Sequence, residues 1–279
     1  MKNNDEFSTY HPVVNLLYFG LVIGFSMFFM HPVCLAISFV SANVYSIYLT
    51  KNLTIYRYCL PLLIFTAILN PLFNHKGMVI LAYFPNGNAL TLESICYGIA
   101  AAVMLCSVLL WFNAYSKVMT TDKFVYLFGR VSHTLSLILS MTIKFIPQFK
   151  RYFTENLSLQ PNKKLKTILK SFTATTTYCL ETSIITSDSM KARGYGLNHR
   201  TSFAIYRFNN RDKTAIIWLI LCGCVIFASS ICGNLYWRYF PNISGIGVNF
   251  VTVTTFVFYL LLCNTALVID ILEVKKYNG

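Results

Sequence analysis

The residues best suited to specific polar interactions lie in the stretch SDSMKARGYG, residues 187–196. This stretch lies between two very apolar parts of the chain. Arg193 carries a planar guanidinium that can donate paired hydrogen bonds to carboxylates. Gly194 follows it where a helix is expected to end. Two interpretations are open. Gly194 closes the helix while Lys191 and Arg193 complement the negative end of the helix dipole, or Arg193 docks onto the carboxylates of another protein.

Catalytic and metal-binding patterns are absent from the sequence. There is no G-x-x-x-x-G-K-[ST] loop to hold nucleotide phosphates, no H-E-x-x-H zinc motif and no G-x-S-x-G nucleophile elbow. The five histidines and nine cysteines are scattered without the spacing of metal ligands or of a thiol-disulfide motif. We therefore expect no enzymatic activity, no cofactor and no metal site in this chain.

The composition is that of an integral membrane protein. The chain of 279 residues is 56% hydrophobic, 16% aromatic and only 12% charged, with a mean hydropathy of +0.56. So few charged residues cannot cover a surface in water. About 20 apolar residues cross a bilayer as a helix. Six spans are predicted, at residues 12–30, 33–50, 56–73, 91–112, 214–233 and 249–272.

The basic residues predict the orientation in the membrane. With the N-terminus inside, the outer segments 31–32, 74–90 and 233–248 contain only Lys76 and Arg238 of the 23 Lys and Arg residues. The positive-inside rule therefore places both termini in the cytoplasm. A nucleic-acid partner is not expected, because the basic residues follow the inner membrane face and are not organised around stacking aromatic residues.

Residues 113–213 form a separate basic module between the transmembrane helices of residues 1–112 and those of residues 214–279. The module contains 16 of the 23 Lys and Arg residues. Within it, residues 124–153 predict one apolar helix that is interrupted by charges and is expected at the cytoplasmic interface. A second helix is predicted over residues 165–193 by the spacing of its apolar residues. The expected fold is all-α and polytopic.

Three stretches of the chain carry a resemblance to a known family. They are NPLFNHKGMVILAYFPNGNALTLESICYG (residues 70–98), KFIPQFKR (144–151) and DSMKARGYGLNHRT (188–201), in the expected order among the spans. Together they resemble the transmembrane T component of energy-coupling factor (ECF) transporters, ABC importers for vitamins and metal ions. The resemblance covers nearly the whole chain. It implies a membrane scaffold whose coupling helices link two cytoplasmic ATPase subunits to a small substrate-binding membrane protein, the S component.

The resemblance also implies where the partners bind. The helix tip that docks on an ATPase subunit corresponds to Ala192, Arg193 and Gly194. The residues that are candidates for the S-component contact are Phe145, Phe149, Phe153 and Ala174.

One expected feature of the family is missing. T components usually have a second Arg-Gly tip after the F-I-P of residues 145–147, and this sequence has PNKK at that place. Lys163 or Lys164 could supply a cation there, without the planar fork of arginine. Alternatively, this basic corner only faces lipid phosphates.

Two other functions stay open from the residues alone. A self-contained carrier or channel would transport its substrate as a purified chain, although the scarcity of acidic residues inside the spans argues against ion coupling. A membrane enzyme with a different motif would keep its turnover when Arg193 is replaced.

Overall fold

The computed structural model describes residues 6–50, 55–83, 87–159, 165–195, 206–245, 247 and 249–278. Within these residues the chain is mostly helical, and a short 3₁₀ helix at Phe7–Thr9 precedes the first α-helix. The α-helices are α1 (Pro12–Phe28), α2 (Pro32–Thr50), α3 (Tyr56–Phe73), α4 (Leu92–Val118), α5 (Thr121–Val131), α6 (His133–Ser158), α7 (Leu165–Ala192), α8 (Asn210–Ile231) and α9 (Phe250–Asn278). Two antiparallel hairpins pair β1 (Ile80–Tyr83) with β2 (Ala89–Thr91) and β3 (Trp237–Arg238) with β4 (Ser244–Gly245).

The chain is an all-α, multi-pass membrane protein. In the described ranges, five helices are long and apolar enough to cross a bilayer, namely α2, α3, α4, α8 and the Phe250–Glu273 part of α9. The first predicted span corresponds to α1, which has 17 residues. At 1.5 Å per residue these rise only about 25 Å. This is less than the hydrocarbon thickness of about 30 Å, so α1 is shorter than a full span.

A short turn connects α1 to α2, and the sequence HPV at residues 31–33 explains how it forms. Pro32 opens α2, where a missing N–H and a fixed φ carry no cost. The Nδ1 atom of His31 accepts a hydrogen bond from the N–H of Val33 at 3.3 Å. The same three residues open α1 at positions 11–13, with the equivalent bond at 3.3 Å.

The apolar helices belong to one compact unit, Met1–Thr120 with Tyr206–Gly279. In this unit α4 packs against α1, α2 and α3, and α9 packs against α2 and α8. The core is aromatic: Trp111 is completely buried, and the rings of Tyr18, Phe19 and Tyr45 lie within 6.5 Å of its ring. Its indole N–H donates to the hydroxyl of Ser38 at 3.1 Å. This cluster joins α1, α2 and α4.

The loop between α3 and α4 is fastened to the first turn of α4. Thr91 is the N-cap, and its hydroxyl accepts from the N–H of Ser94 at 3.3 Å. The hydroxyl of Ser94 in turn donates to the carbonyl of Asn74 at 2.6 Å. The buried carboxylate of Glu93 accepts from the N–H of Val79 at 3.2 and 3.3 Å. A negative charge is favourable here because it faces the positive end of the helix dipole.

The second compact unit, Thr121–Ile205, contains α5, α6 and α7. The prediction of one helix over residues 124–153 is wrong, because Ser132 has an extended backbone and separates α5 from α6. The two helices approach closely near Gly129, where a Cβ atom would lie 3.0 Å from the hydroxyl of Ser136. α6 packs against both α5 and α7.

Candidate functional site

The helix α7 ends in a tip that is capped by backbone groups. Gly194 has a φ of +74°, a left-handed conformation that glycine adopts without the steric cost of a Cβ atom. Its N–H donates to the carbonyl of Lys191 at 2.9 Å, and the N–H of Tyr195 donates to the carbonyl of Met190 at 3.0 Å. This pair of bonds is a Schellman motif. Backbone hydrogen bonds therefore close the end of α7.

Arg193 is the residue between the last helical residue and this glycine. It is exposed, and its backbone N–H donates to the carbonyls of Ser189 and Met190 at 3.1 Å. Ala192 is also exposed, whereas Gly194 is half-buried. The structure thus presents a guanidinium group at the end of a helix of 28 residues.

A weak ion pair lies beside the tip of α7. The Nζ atom of Lys191 lies 3.9 Å from a carboxylate oxygen of Asp188, and the two side chains are 76% and 71% exposed. Exposed pairs of this kind contribute about 0–1 kcal/mol because water screens them. This pair therefore contributes little to the stability of the tip.

An aromatic seam joins α6 to the middle of α7. The rings of Tyr152 and Tyr178 stack with their centroids 4.0 Å apart. Phe149 meets Tyr178 edge-on at 6.3 Å, and the amide of Gln148 donates to the hydroxyl of Tyr178 at 3.3 Å. Each such aromatic pair contributes about 0.5–1.5 kcal/mol beyond the burial of its area. The seam holds the two long helices together.

The four residues predicted to contact an S component lie on these same two helices. Phe145 and Phe149 are one turn apart on α6 and their rings stack at 5.4 Å. Both are half-buried, as is Phe153. Ala174, one turn before Tyr178 on α7, is exposed. Phe149 therefore also stabilises the contact between α6 and α7, in addition to any partner that it binds.

The described side chains of α5, α6 and α7 form no buried apolar core. Between residues 121 and 195 the buried side chains are Lys123, Ser171 and Thr175. Large apolar side chains on α7 are instead between 62 and 64% exposed: Phe172, Leu180, Ile184 and Ile185. An apolar surface of this kind is normally covered by another protein or by lipid.

The second candidate tip, Lys163 and Lys164, lies outside the described residues. On α6, Arg151 is engaged within its own helix, since its Nε donates to a carboxylate oxygen of Glu155 at 2.7 Å. This bond raises the pKa of Arg151. Both side chains are largely exposed, so the pair adds little stability.

A buried polar cluster, which the sequence did not indicate, fastens the N-terminal segment to α9. The carboxylate of Asp270 is fully buried and accepts from the N–H of Phe7 at 2.6 Å. The hydroxyl of Tyr10 donates to Glu273 at 2.9 Å, and burial together with this bond raises the pKa of Tyr10 to about 12. Arg211 lies 3.4 Å from the same Glu273 oxygen. From the sequence, Asp270 is only an acid near the end of an apolar span.

The same N-terminal segment is also joined to α8. One carboxylate oxygen of Asp212 accepts from the N–H of His11 at 3.1 Å, and the other accepts from the N–H of Asn209 at 2.8 Å. Asn209 and Asp212 thereby form a capping box at the start of α8. The cluster is structural: it ties the start of the chain to two helices that follow the module.

In the part of the chain that the structure describes, no group of three or more His, Cys, Asp or Glu side chains is placed to hold a metal ion. The fold and the candidate site together define a multi-pass, all-α membrane protein with a basic helical module. No family model matches the chain, and a comparison with curated proteins finds no match either.

Proposed function

We propose that this chain is the T component of an ECF-type importer, the membrane scaffold that couples two cytoplasmic ATPase subunits to a substrate-binding S component. The imported substrate is then a vitamin or a metal ion held by the S component. The scaffold itself is not an enzyme, and ATP is hydrolysed by its partners. The observation that carries the proposal is the tip of α7, where the exposed Arg193 stands at the end of a long helix.

The length of α7 and its packing against α6 suit a helix that transmits movement from one end to the other. Its 28 residues rise about 42 Å at 1.5 Å per residue. The seam at Tyr178 braces the middle of this helix against α6. A displacement applied at one end is therefore carried along the helix and is not lost in bending.

The chemistry of the tip suits docking on an acidic groove. Gly194 and Tyr195 satisfy the helix end through their backbone N–H groups. A guanidinium forms paired, directed hydrogen bonds with carboxylates, which lysine cannot reproduce. The glycine also keeps the tip narrow, so that a partner backbone can approach closely.

The apolar surface of the module suits the second partner. The described side chains of α5, α6 and α7 bury no apolar residue, while α7 exposes several large ones. Such helices gain stability when a membrane protein or lipid covers them. In this proposal an S component covers part of that surface, with Phe145, Phe149, Phe153 and Ala174 as the contact residues.

The distribution of charge indicates on which side of the membrane the module lies. The module carries most of the Lys and Arg residues, and basic segments stay on the cytoplasmic side of the membrane. We therefore place the module and both termini in the cytoplasm, in the cell membrane of a prokaryote.

The proposal is tested by affinity purification of the tagged chain from its own membranes in a mild detergent. We expect two identical or homologous ATPase subunits and one small hydrophobic membrane protein to co-purify. The Arg193→Glu variant should lose the ATPase subunits, because a reversed charge in a buried interface costs several kcal/mol. The matched control is Lys170→Glu, which reverses an exposed charge on the same helix away from the tip.

An intact chain that purifies alone would contradict the proposal. The self-contained carrier would then be the next hypothesis, and uptake by the pure chain in liposomes would test it.

A further inference from the structure

The turn between α1 and α2 is fastened to the β3 segment (residues 236–240) by a ring contact and a hydrogen bond. The ring of His31 meets the ring of Trp237 edge-on, with the centroids 5.0 Å apart. The hydroxyl of Tyr239 donates to the carbonyl of Met30 at 2.9 Å. Since Met30 and His31 are neighbours in the chain, both contacts end on the same short turn.

The hydrogen bond of His31 to α2 requires a neutral imidazole. Its Nδ1 atom accepts from the N–H of Val33 at 3.3 Å, in the first turn of α2. A neutral imidazole that accepts at Nδ1 carries its proton at Nε2. When a second proton binds, Nδ1 becomes a donor and this bond is lost. Protonation of His31 therefore removes a cap from α2.

The surroundings of the His31 ring disfavour a positive charge. The residue is 9% exposed, and the ring of Phe256 of α9 lies 5.0 Å from it, in addition to the ring of Trp237. Burial lowers the pKa of His31 from its ordinary value of 6.5, because the cation loses its hydration there. The neutral ring is therefore the form that fits between the two aromatic rings.

Among the described residues, the titratable groups on the elements around His31 offer its ring no carboxylate. On the β3 segment, α2 and α9 they are Tyr236, Arg238, Tyr239, Cys34 and Tyr259. Arg238 is exposed and its guanidinium lies 5.7 Å from the ring of Tyr236. Burial raises the pKa of Tyr239 to about 12, so this hydroxyl stays neutral. Glu93, the acid in the first turn of α4, accepts instead from the N–H of Val79.

The β3 segment is the more loosely held side of this contact. The strands β3 and β4 have two residues each, so they share few backbone hydrogen bonds. The turn lies between two helices, and Phe29 within it is 8% exposed with its ring 6.5 Å from that of Tyr259. Elements with few backbone bonds and few buried contacts open at the lowest free energy. Loss of the contact therefore displaces the β3 segment and not the helices.

We propose that His31 is a pH-operated latch: the neutral imidazole holds the β3 segment on the α1–α2 turn, and protonation releases Trp237 from it. The cation moves out from between the aromatic rings and becomes hydrated. Tyr97 of α4, whose ring lies 5.6 Å from that of Tyr239, keeps the released segment near the bundle. In the orientation proposed for this chain the turn lies on the outer face, so the surrounding medium sets the state of the latch.

The direction of the response follows from the lowered pKa of His31. The closed state has its full stability above pH 6.5, where the ring is neutral whether the latch is open or closed. It loses stability as the pH falls below that value, because the open state then binds a proton more readily than the closed state. Opening should therefore have a midpoint below pH 6.5.

The test is the access of acrylamide, a neutral quencher dissolved in water, to the fluorescence of Trp237. The full chain carries Trp218→Phe and is reconstituted in nanodiscs, where both faces meet the same buffer, so the result depends neither on the orientation nor on any ATPase subunit. Trp111 is completely buried. Its signal is subtracted with a variant that also carries Trp237→Phe. We expect the quenching of Trp237 to increase on acidification, with a midpoint below pH 6.5.

His31→Asn should abolish the transition, because asparagine still accepts the N–H of Val33 but binds no proton. The matched control is His11→Asn, since His11 opens α1 with the equivalent bond to Val13 at 3.3 Å. It lies at the other end of α1, about 25 Å away along a helix of 17 residues, and should keep the transition of the parent.

Tyr239→Phe removes the bond to Met30 and weakens the closed state without changing His31. Its midpoint should move upward, toward pH 6.5, because a weaker closed state opens at a smaller excess of protons. An unchanged midpoint would show that the β3 segment and His31 are not coupled, and would contradict the latch.

Three other results would overturn the proposal. The first is a quenching of Trp237 that does not depend on pH in the parent. The second is a loss of Trp237 intensity on acidification without a gain in acrylamide access, which would show that the protonated ring quenches the indole while the contact stays closed. The third is a transition that persists in His31→Asn, which would assign the proton to another group.

Discussion

Replacing Arg193 by Ala should separate docking from helix capping, because the structure assigns the cap to the backbone. The substitution keeps both Schellman bonds of Gly194 and Tyr195. The loss of the interaction between this cation and the helix dipole is expected to cost about 0.3–1 kcal/mol. The companion variant, Gly194→Ala, places a Cβ atom at a φ of +74° and costs about 1–2 kcal/mol at the helix end.

Docking predicts a much larger effect on binding than on folding. Truncation of one partner of a buried charge pair costs about 2–5 kcal/mol, so ATPase binding should weaken by about 30-fold or more in Arg193→Ala. The chain is reconstituted in nanodiscs and titrated with its purified ATPase subunits, while thermal unfolding is followed in the same preparation. We expect at most a small drop in the midpoint of unfolding and a large loss of affinity. Lys191→Ala, which removes a neighbouring exposed cation, is the matched control.

The reverse pattern would refute the reasoning. If Arg193→Ala binds the ATPase subunits within about twofold of the parent, well under the loss for a buried charge, while Gly194→Ala binds weakly, the shape of the helix end matters and the guanidinium does not. The helix-cap interpretation of Arg193 would then stand.

Three further predictions concern the apolar bundle. Gly77→Ala should lower the free energy of unfolding by about 1–3 kcal/mol in chemical denaturation, because its Cβ atom would lie 2.5 Å from a carboxylate oxygen of Glu93. Gly247→Ala, with open space around the added Cβ and no left-handed backbone, shows how much of any change comes from glycine replacement alone. Asp270→Ala should cost about 1–3 kcal/mol by leaving a buried backbone N–H without its acceptor; an unchanged stability would contradict the assigned bond. Burial lowers the pKa of His31 from its ordinary value of 6.5, so thermal stability should fall as the pH drops below that value, and a His31→Asn variant should lose this dependence.

The positions of most spans could be predicted from the sequence, because a run of about 20 apolar residues is a strong signal. The spans expected at residues 33–50 and 56–73 correspond closely to α2 (Pro32–Thr50) and α3 (Tyr56–Phe73). The span expected at 91–112 corresponds to α4 (Leu92–Val118), which continues as a helix beyond the apolar stretch.

The features that were missed depend on contacts between distant parts of the chain or on very short elements. The bond between Asp270 and Phe7 joins residues 263 positions apart, so no local pattern reveals it. The β3–β4 hairpin has two residues in each strand, too few for a period of two to be visible. The break at Ser132 interrupts a stretch whose apolar periodicity continues on both sides.

The candidate site, too, could be predicted from the sequence only in part. The end of α7 could be predicted, because a glycine after a cationic last turn is a local signal for a helix stop. The aromatic seam could not, since Tyr152 and Tyr178 are separated by a segment whose length does not fix their register.

The distribution of buried apolar residues bears on the proposed coupling role. The apolar bundle has its own core around Trp111, whereas the described side chains of residues 121–195 provide none. A helix pair without a core gains its stability from what it contacts, since packing of an apolar face supplies most of the stability of a helix. If the proposed function is right, the position of α6 and α7 depends on the partners that cover them as well as on the contacts between the two helices. A segment whose preferred position changes with the state of its partner is the element that a transmitting scaffold requires.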